Sequence, residues 1–350
     1  MTRVALITTT INIPTVLTEW VQTGMTKDDV IIVAGDHKSP HDEISGLLTS
    51  ITREYGITTE YMAPQAQERY AVSDAISWNC IQRRNIALLR AMELKSEYIL
   101  TIDDDNAPTS PNQVTHLVDI MMGVDHGDTK IFSTNTGWYN PGRQCLTDDL
   151  RFVTHRGFPL SRRHEKPFYV YDSVKPPIGV AAMLWTGDPD IDAMERIVNR
   201  PNVARVVMNT VVQPGTWAPF NTQATMIRGE LAPALFMWPH VGRYDDIWAS
   251  YVYRKIADKR GYGAYYGRPA VHQDRNEHNL LSDLQAEMFG MRMNERVIAS
   301  IQETKLRDGD TVLGDFAEII TDVLSAGLVP KTTAHAFSTW CDDVEVIQYG

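Results

Sequence analysis

Apolar residues recur along the first third of the chain in short runs of β character, separated by longer stretches with a helical period. The runs Val4 to Thr8, Val30 to Ala34, Thr58 to Met62, Tyr98 to Ile102 and Lys130 to Thr134 predict strands. Between them, Pro14 to Gln22, His41 to Tyr55, Asp74 to Lys95 and Pro111 to Met122 predict helices. In the third helix Ile76, Cys80, Ile81, Leu88, Leu89 and Met92 keep a roughly helical spacing, and Ser73-Asp74 offers a cap. Pro14 suits a first helical turn. Such alternation implies an α/β fold, a Rossmann-like, mostly parallel sheet with helices on both faces.

From Thr134 to Val180 the pattern gives way to turn signals: Asn140-Pro141-Gly142, Arg156-Gly157-Phe158-Pro159 and Lys175-Pro176-Pro177. Long loops of this kind in an enzyme usually wall or cover a site. Strand-like residues return at Val203 to Val212, and Asp245 to Lys259 has a helical pattern. Gly261-Tyr262-Gly263 and Gly267 lack the spacing of a dinucleotide-binding loop and follow a helix, so they mark a helix exit and a strand. Helices follow at Leu284 to Thr304 and Gly314 to Ser325, while Lys331 to Gly350 carries no clear signal. The expected partition is a catalytic domain over 1–280, in two halves over 1–135 and 136–280. A mainly helical extension over 281–350 completes the chain.

The bulk numbers narrow the class. A chain of 350 residues, 43% hydrophobic and 22% charged, is ordinary for a globular protein. No apolar stretch approaches the length of a membrane span, and the N-terminus lacks a signal-peptide core. Cys80, Cys145 and Cys341 are too scattered for a disulfide framework or a zinc motif and suit a reducing, cytoplasmic setting. A net charge of −11 argues against nucleic acid as the main partner. Arg151, Arg156, Arg162, Arg163 and Lys166, opposed only by Glu165, form a local exception. Such a segment either faces an anion such as phosphate or is a solvated loop.

Candidate chemistry centres on Asp103-Asp104-Asp105, directly after the apolar run Tyr98 to Ile102. Adjacent carboxylates at the carboxyl end of a strand form a hard-oxygen site for a divalent cation, at the rim where open α/β sheets bind ligands. A dehalogenase-type phosphatase would need Thr or Val where Ala107 stands. A nucleotide-sugar glycosyltransferase uses Asp-x-Asp to hold Mn²⁺ or Mg²⁺ against a donor diphosphate, and the order of elements suits it. Gly242-Arg243-Tyr244-Asp245-Asp246 forms a second cluster, whose acids either cap a helix or act on sugar hydroxyls and an acceptor. His272, after Pro269-Ala270-Val271, is either structural or a further cation ligand.

Taken in order, several segments resemble the reversibly glycosylated polypeptides, also called UDP-arabinopyranose mutases. They are Ile31-Ile32-Val33 with Asp36, Ile102 to Asp105, Arg156 to Ser161, Leu184-Trp185 with Pro189 to Ala193, and Gly242 to Trp248. The likeness runs from about Val30 to His272, and the chain departs from the family's pattern around Asn221 to Met226. It implies a glycosyltransferase A-like fold and a UDP-sugar donor bound with Mn²⁺ or Mg²⁺, with a nucleotide-binding half over about 1–135 and a sugar or acceptor half over about 136–280. The cation site would be Asp103 and Asp105 with His272. Asp36, Asp103, Asp104, Arg83 and Arg84 would contact the donor, and Asp245, Asp246, Arg156 and Arg163 would serve the transfer. Arg156 also matches the arginine on which that family reversibly carries a sugar.

Two activities follow from this likeness: transfer to an external acceptor (a glycan, a protein or a modified nucleobase), or interconversion of pyranose and furanose forms. A non-catalytic, nucleotide-sugar-binding subunit is the third reading. A homo-oligomer is compatible with all of them.

Overall fold

The computed structural model describes residues 3–124, 128–274 and 279–350. Its first half consists of β1 (Val4–Thr10), α1 (Leu17–Val21), β2 (Val30–Gly35), α2 (His41–Tyr55), β3 (Thr58–Met62), the single turns α3 (Pro64–Gln67) and α4 (Val72–Ala75), α5 (Arg84–Glu93) and β4 (Tyr98–Ile102). β5 (Asn106–Pro108), α6 (Gln113–Met121), β6 (Thr129–Thr134), β7 (Cys145–Thr147), β8 (Tyr169–Tyr171) and β9 (Ile178–Gly187) follow. The remainder is α7 (Ala193–Asn199), β10 (Val203–Val206), β11 (Asn209–Val212), β12 (Ala224–Arg228), α8 (Asp245–Lys259), β13 (Gly263–Gln273), α9 (Leu280–Glu303), α10 (Val312–Ser325) and α11 (Lys331–Tyr349).

One sheet runs β3-β2-β1-β4-β12-β9-β13-β11-β6-β8. It is parallel from β3 to β4, and β1, β2 and β4 are buried along their whole length, as strands covered on both faces are, whereas the edge strand β3 is not. β12 then enters antiparallel between β4 and β9, and β13 runs parallel to β9. This is the expected α/β architecture, with helices packed against a Rossmann-like sheet. Chain order reverses between β1 and β4, so the carboxyl ends of these two strands open the crevice where such sheets take ligands.

Two expectations need correction. The helix expected over Asp74 to Lys95 is broken: α4 ends at Ala75, Asn79 takes a left-handed φ of 58°, and α5 starts at Arg84. Ser73 caps nothing, because its hydroxyl and carbonyl accept from Arg83 at 2.7 and 2.8 Å. The Asp36 carboxylate holds the intervening loop open by accepting from the N–H groups of Asn79 and Cys80, at 2.6 and 3.4 Å. The stretch without a clear signal, Lys331 onward, is the helix α11.

The C-terminal helices share one continuous hydrophobic core with the sheet. Trp340 is fully buried, stacks on Phe236 at 4.8 Å and donates from Nε1 to the Pro233 carbonyl at 3.0 Å. Asp343 of α11 accepts from the N–H groups of Ala71 and Val72, at the start of the segment that leads into the Asn79 loop. Because so large an aromatic side chain leaves a cavity when removed, Trp340→Ala is expected to cost about 3–5 kcal/mol. Urea unfolding measures this, and a cost under about 1 kcal/mol would mean that α11 is only loosely attached.

Candidate functional site

The site forms where β1, β4 and the loop before α5 converge. β4 ends at Ile102, and the Asp103 N–H donates to the Gln223 carbonyl at 2.8 Å, so the three aspartates leave the sheet in a fixed direction. The Thr10 hydroxyl, at the end of β1, donates to Asp104. Burial raises the Asp104 pKa above the usual carboxylate range; the Thr10 hydrogen bond opposes that rise, and the charge of Asp103 adds to it. Asp104, Thr10, Asn12, Asp36 and Asn79 line a cavity of about 270 Å³. Ile11, Ile13 and Ile81 stand partly exposed nearby.

A second cavity of about 320 Å³ shares Cys80 and Ile81 with the first, so the two adjoin. Its walls include Arg84, Asp103, Arg156, Arg243, Asp245 and Asp246. Arg84 is almost fully buried. It donates to the Thr222 carbonyl at 2.8 Å and hydroxyl at 3.0 Å, and forms an ion pair with Asp103. Arg156 is equally enclosed: Nε donates to Asp190 at 2.7 Å, Nη2 to Asp246 at 3.2 Å, and Nη1 to the Arg243 carbonyl. Burial works against its charge, but Asp190 and Asp246 hold its pKa well above the ordinary value.

The two acids that open α8 are placed differently. Asp246 is committed to Arg156 and to the Thr222 N–H at 3.2 Å. Asp245 faces the cavity and accepts from the Gln82 amide at 2.6 Å. Burial, reinforced by the adjacent Asp246, pushes its pKa up to about 7. A carboxyl that titrates near neutrality can take up or release a proton during a reaction.

The Arg156-Gly157 turn is fixed from behind. Gly157 has φ of 83°, and a Cβ there would lie 2.2 Å from Ile247 Cγ2, so the position requires glycine. Its carbonyl accepts from Tyr251 Oη at 3.0 Å and from Asn294 Nδ2 at 2.8 Å, which ties the turn to α8 and α9. From α9, Glu287 also accepts from the Ala193 N–H and from Arg243 Nε.

Not every residue expected at the site lies there. Arg83 turns away: it donates to Gln67 and Ser73, and its guanidinium carbon lies 3.5 Å from the Trp78 ring centroid. Its position in the fold is therefore that of a brace for the loop before α5. Arg163 pairs with Asp192 and lines neither cavity. The Asp105 side chain and His272 also line neither. His272 is exposed on β13, opposite Ala107 of β5, with Nδ1 3.2 Å from the Thr186 hydroxyl.

The basic segment is largely neutralised: Arg151 pairs with Asp149, Arg156 with Asp190 and Asp246, Arg162 with Glu165 and Arg163 with Asp192. It is not a free phosphate-facing patch. Thr10 and Gln82 line the cavities without having been singled out, and Thr222 and Arg243 line them although they were named only within longer segments and given no role. For Thr10 a signal existed, since a polar residue ends an apolar strand at the ligand-binding rim.

Among the described residues, no three His, Cys, Asp or Glu side chains are grouped to hold a metal ion. A cation that arrives with a diphosphate needs only one or two carboxylates, because phosphate oxygens and water complete its shell. Asp103 fits that requirement: Arg84 engages one oxygen, and the side chain remains 20% exposed toward the cavity.

A family model described as "Reversibly glycosylated polypeptide" matches residues 55–344. The chain belongs to the reversibly glycosylated polypeptide family. It is similar to probable UDP-arabinopyranose mutase 1 of Pisum sativum, with 29% identity over 227 residues, or 61% of this chain and 57% of that protein. It thus spans little more than half the length of the pea protein. Similarity to UDP-arabinopyranose mutase 1 of Arabidopsis thaliana is 28% over 268 residues, covering 72% and 70% of the two chains.

Among solved structures, this family member aligns with the mannosyltransferase PcManGT of Pyrobaculum calidifontis in complex with GDP-Man and Mn²⁺. That alignment has a TM-score of 0.43 at 12% identity, over 99% of this chain and 76% of the other. S. aureus TarS in complex with UDP-GlcNAc gives a TM-score of 0.43 at 12% identity, over 99% and 90%. No helix among the described residues is long and apolar enough to cross a membrane.

If Arg156 braces the site, its removal strands the buried carboxylates of Asp190 and Asp246. Arg156→Ala is then expected to lower stability by about 3–5 kcal/mol, and Arg156→Lys to recover only part of it, because an ammonium cannot bridge the same set of acceptors. Guanidinium chloride unfolding checks both. An unchanged midpoint for Arg156→Ala would remove the bracing role.

Proposed function

We propose that this protein transfers a glycosyl group from a UDP-sugar, with the nucleoside in the Asp36–Asp104 cavity and the sugar in the Asp103–Asp245 cavity. The observation that carries the reading is the pair of adjoining cavities at the β1–β4 switch point, with carboxylates facing both. In this reading Asp103 would hold Mn²⁺ or Mg²⁺ together with the donor's diphosphate, while Asp105 and His272, which line neither cavity, take no part. The cation, when bound, supplies neutralising charge for the departing diphosphate. Arg84 pairs with Asp103 and aims it at the cavity, and Asp104 fixes the nucleoside side through Thr10.

Arg156, with all three of its nitrogens engaged, aligns Asp246 and lends positive charge to the sugar cavity. Asp245 is the general base: it faces the cavity, and the Gln82 amide orients it. As a base it must be unprotonated. Activity therefore rises with pH through about 7, the value to which burial and Asp246 bring it.

A pyranose–furanose mutase is the second reading, favoured by family membership and by the activity in the names of the pea and Arabidopsis relatives. A panel of UDP-sugars with Mn²⁺ separates the readings. Free UDP with a modified acceptor is expected for transfer, and a nucleotide-sugar isomer without net UDP release marks the mutase. If donors bind and neither product forms, the protein is a nucleotide-sugar-binding subunit.

Asp245→Asn keeps the contact with Gln82 but cannot accept a proton. It is expected to reduce kcat roughly 10²- to 10⁴-fold and to abolish the rise of kcat/KM near neutral pH. A pH–rate profile with the wild-type limb intact in the variant would reject Asp245 as the base.

A further inference from the structure

The sheet ends at β8, which pairs with β6 and with no other strand among the described residues. Thr134 lies opposite Tyr169, Ser133 opposite Val170 and Phe132 opposite Tyr171. On either side, the Asp172 N–H donates to the Ile131 carbonyl at 2.9 Å, and the Phe168 carbonyl accepts from Asn135 at 3.2 Å. Phe168, Val170 and Asp172 therefore direct their backbone groups toward β6. By the alternation of an antiparallel ladder, Tyr169 and Tyr171 direct theirs outward. Phe168, Val170, Tyr171 and Val174 are 76, 56, 66 and 69% exposed. An apolar edge strand with outward N–H and C=O groups is a template for another strand.

We propose that β8 is a homodimer interface, in which two copies pair antiparallel about a dyad at Val170. The residues are self-complementary in that register. Tyr169 of each copy faces Tyr171 of the other, so their outward N–H and C=O groups exchange hydrogen bonds symmetrically. A register centred on Tyr169 would instead set Tyr171 against Pro167, which has no N–H to give. On one face of the joined strands Val170 meets its own copy, and Lys166 lies diagonal to Asp172 of the second copy.

These two charges are suited to each other. Lys166 is exposed and has no ion pair among the described residues. Asp172 is exposed, and its carboxylate accepts only from the neutral Val174 N–H and the Gln213 amide. The arginines just upstream already have carboxylate partners, which leaves Lys166 as the cation for this role. An apolar centre flanked by opposite charges that meet twice across a dyad specifies a second copy of this chain.

Sedimentation velocity of the full chain at micromolar concentration tests the interface, and a dimer is expected. Val170→Lys sets two ammonium groups at the dyad and should weaken the dimer roughly tenfold or more. Lys166→Asp should also weaken it, and Lys166→Asp with Asp172→Lys should restore it. Val170→Cys should yield a disulfide-linked dimer on a non-reducing gel, because a non-hydrogen-bonded pair holds its Cα atoms about 4.5 Å apart. A monomeric wild-type chain, a dimer indifferent to Val170→Lys, or failure of the double charge exchange to restore pairing would each overturn the interface. Circular dichroism confirms folding, and if Val170→Lys does not fold, the charge exchange and the cross-link still decide.

Discussion

The buried charge of Arg84 is the constraint on which the rest of the site depends. A guanidinium this enclosed must find acceptors, and it finds Asp103 at the end of β4 and Thr222 just before β12. The contact joins the parallel half of the sheet to the antiparallel insertion. It also fixes the direction in which the aspartates leave β4. Asp103 then turns to one cavity and Asp104 to the other. Breaking the pair would strand the buried charge of Arg84 and free Asp103 from the wall of its cavity.

The same economy of charge governs the second half of the site. In an acidic chain, Arg156, Arg162 and Arg163 are matched to Asp190 and Asp246, Glu165 and Asp192. These pairs hold the carboxylates in place, and Asp245, which faces the Asp103 cavity with no ion pair among the described residues, is the one pushed to about 7. The C-terminal helices belong to this arrangement. Asn294 and Glu287 of α9 hold the Gly157 turn and the Ala193 and Arg243 segments, and Asp343 of α11 caps the chain that leads to the Asn79 loop.

The legible parts of the molecule were those written in local pattern. Strands β1 to β4, α2 and α8 follow from period, composition and boundary residues close in sequence. Asp36, Arg84, Asp103, Asp104, Arg156, Asp245 and Asp246 were all recognisable by position, and all line the two cavities. The break before α5 was not legible, because the carboxylate that sustains it belongs to Asp36, 43 residues earlier than Asn79. Nor could Arg83 be told from Arg84. At a helix start, neighbours point about 100° apart, and only the packing shows that one meets Ser73 and the other Asp103. Gln82 and Thr222 carry no distinctive signal, since an amide and a hydroxyl become site residues only through what folds against them.

We propose that Asp103, at the end of β4, is half of a cation site that a nucleotide diphosphate completes. Electron paramagnetic resonance of Mn²⁺ tests it most directly, because free and bound ion are distinguished in solution. With protein alone the free-ion signal should persist, with protein and UDP together it should fall, and Asp103→Asn should restore it. Tight Mn²⁺ binding without nucleotide, or no binding with UDP present, would contradict the account.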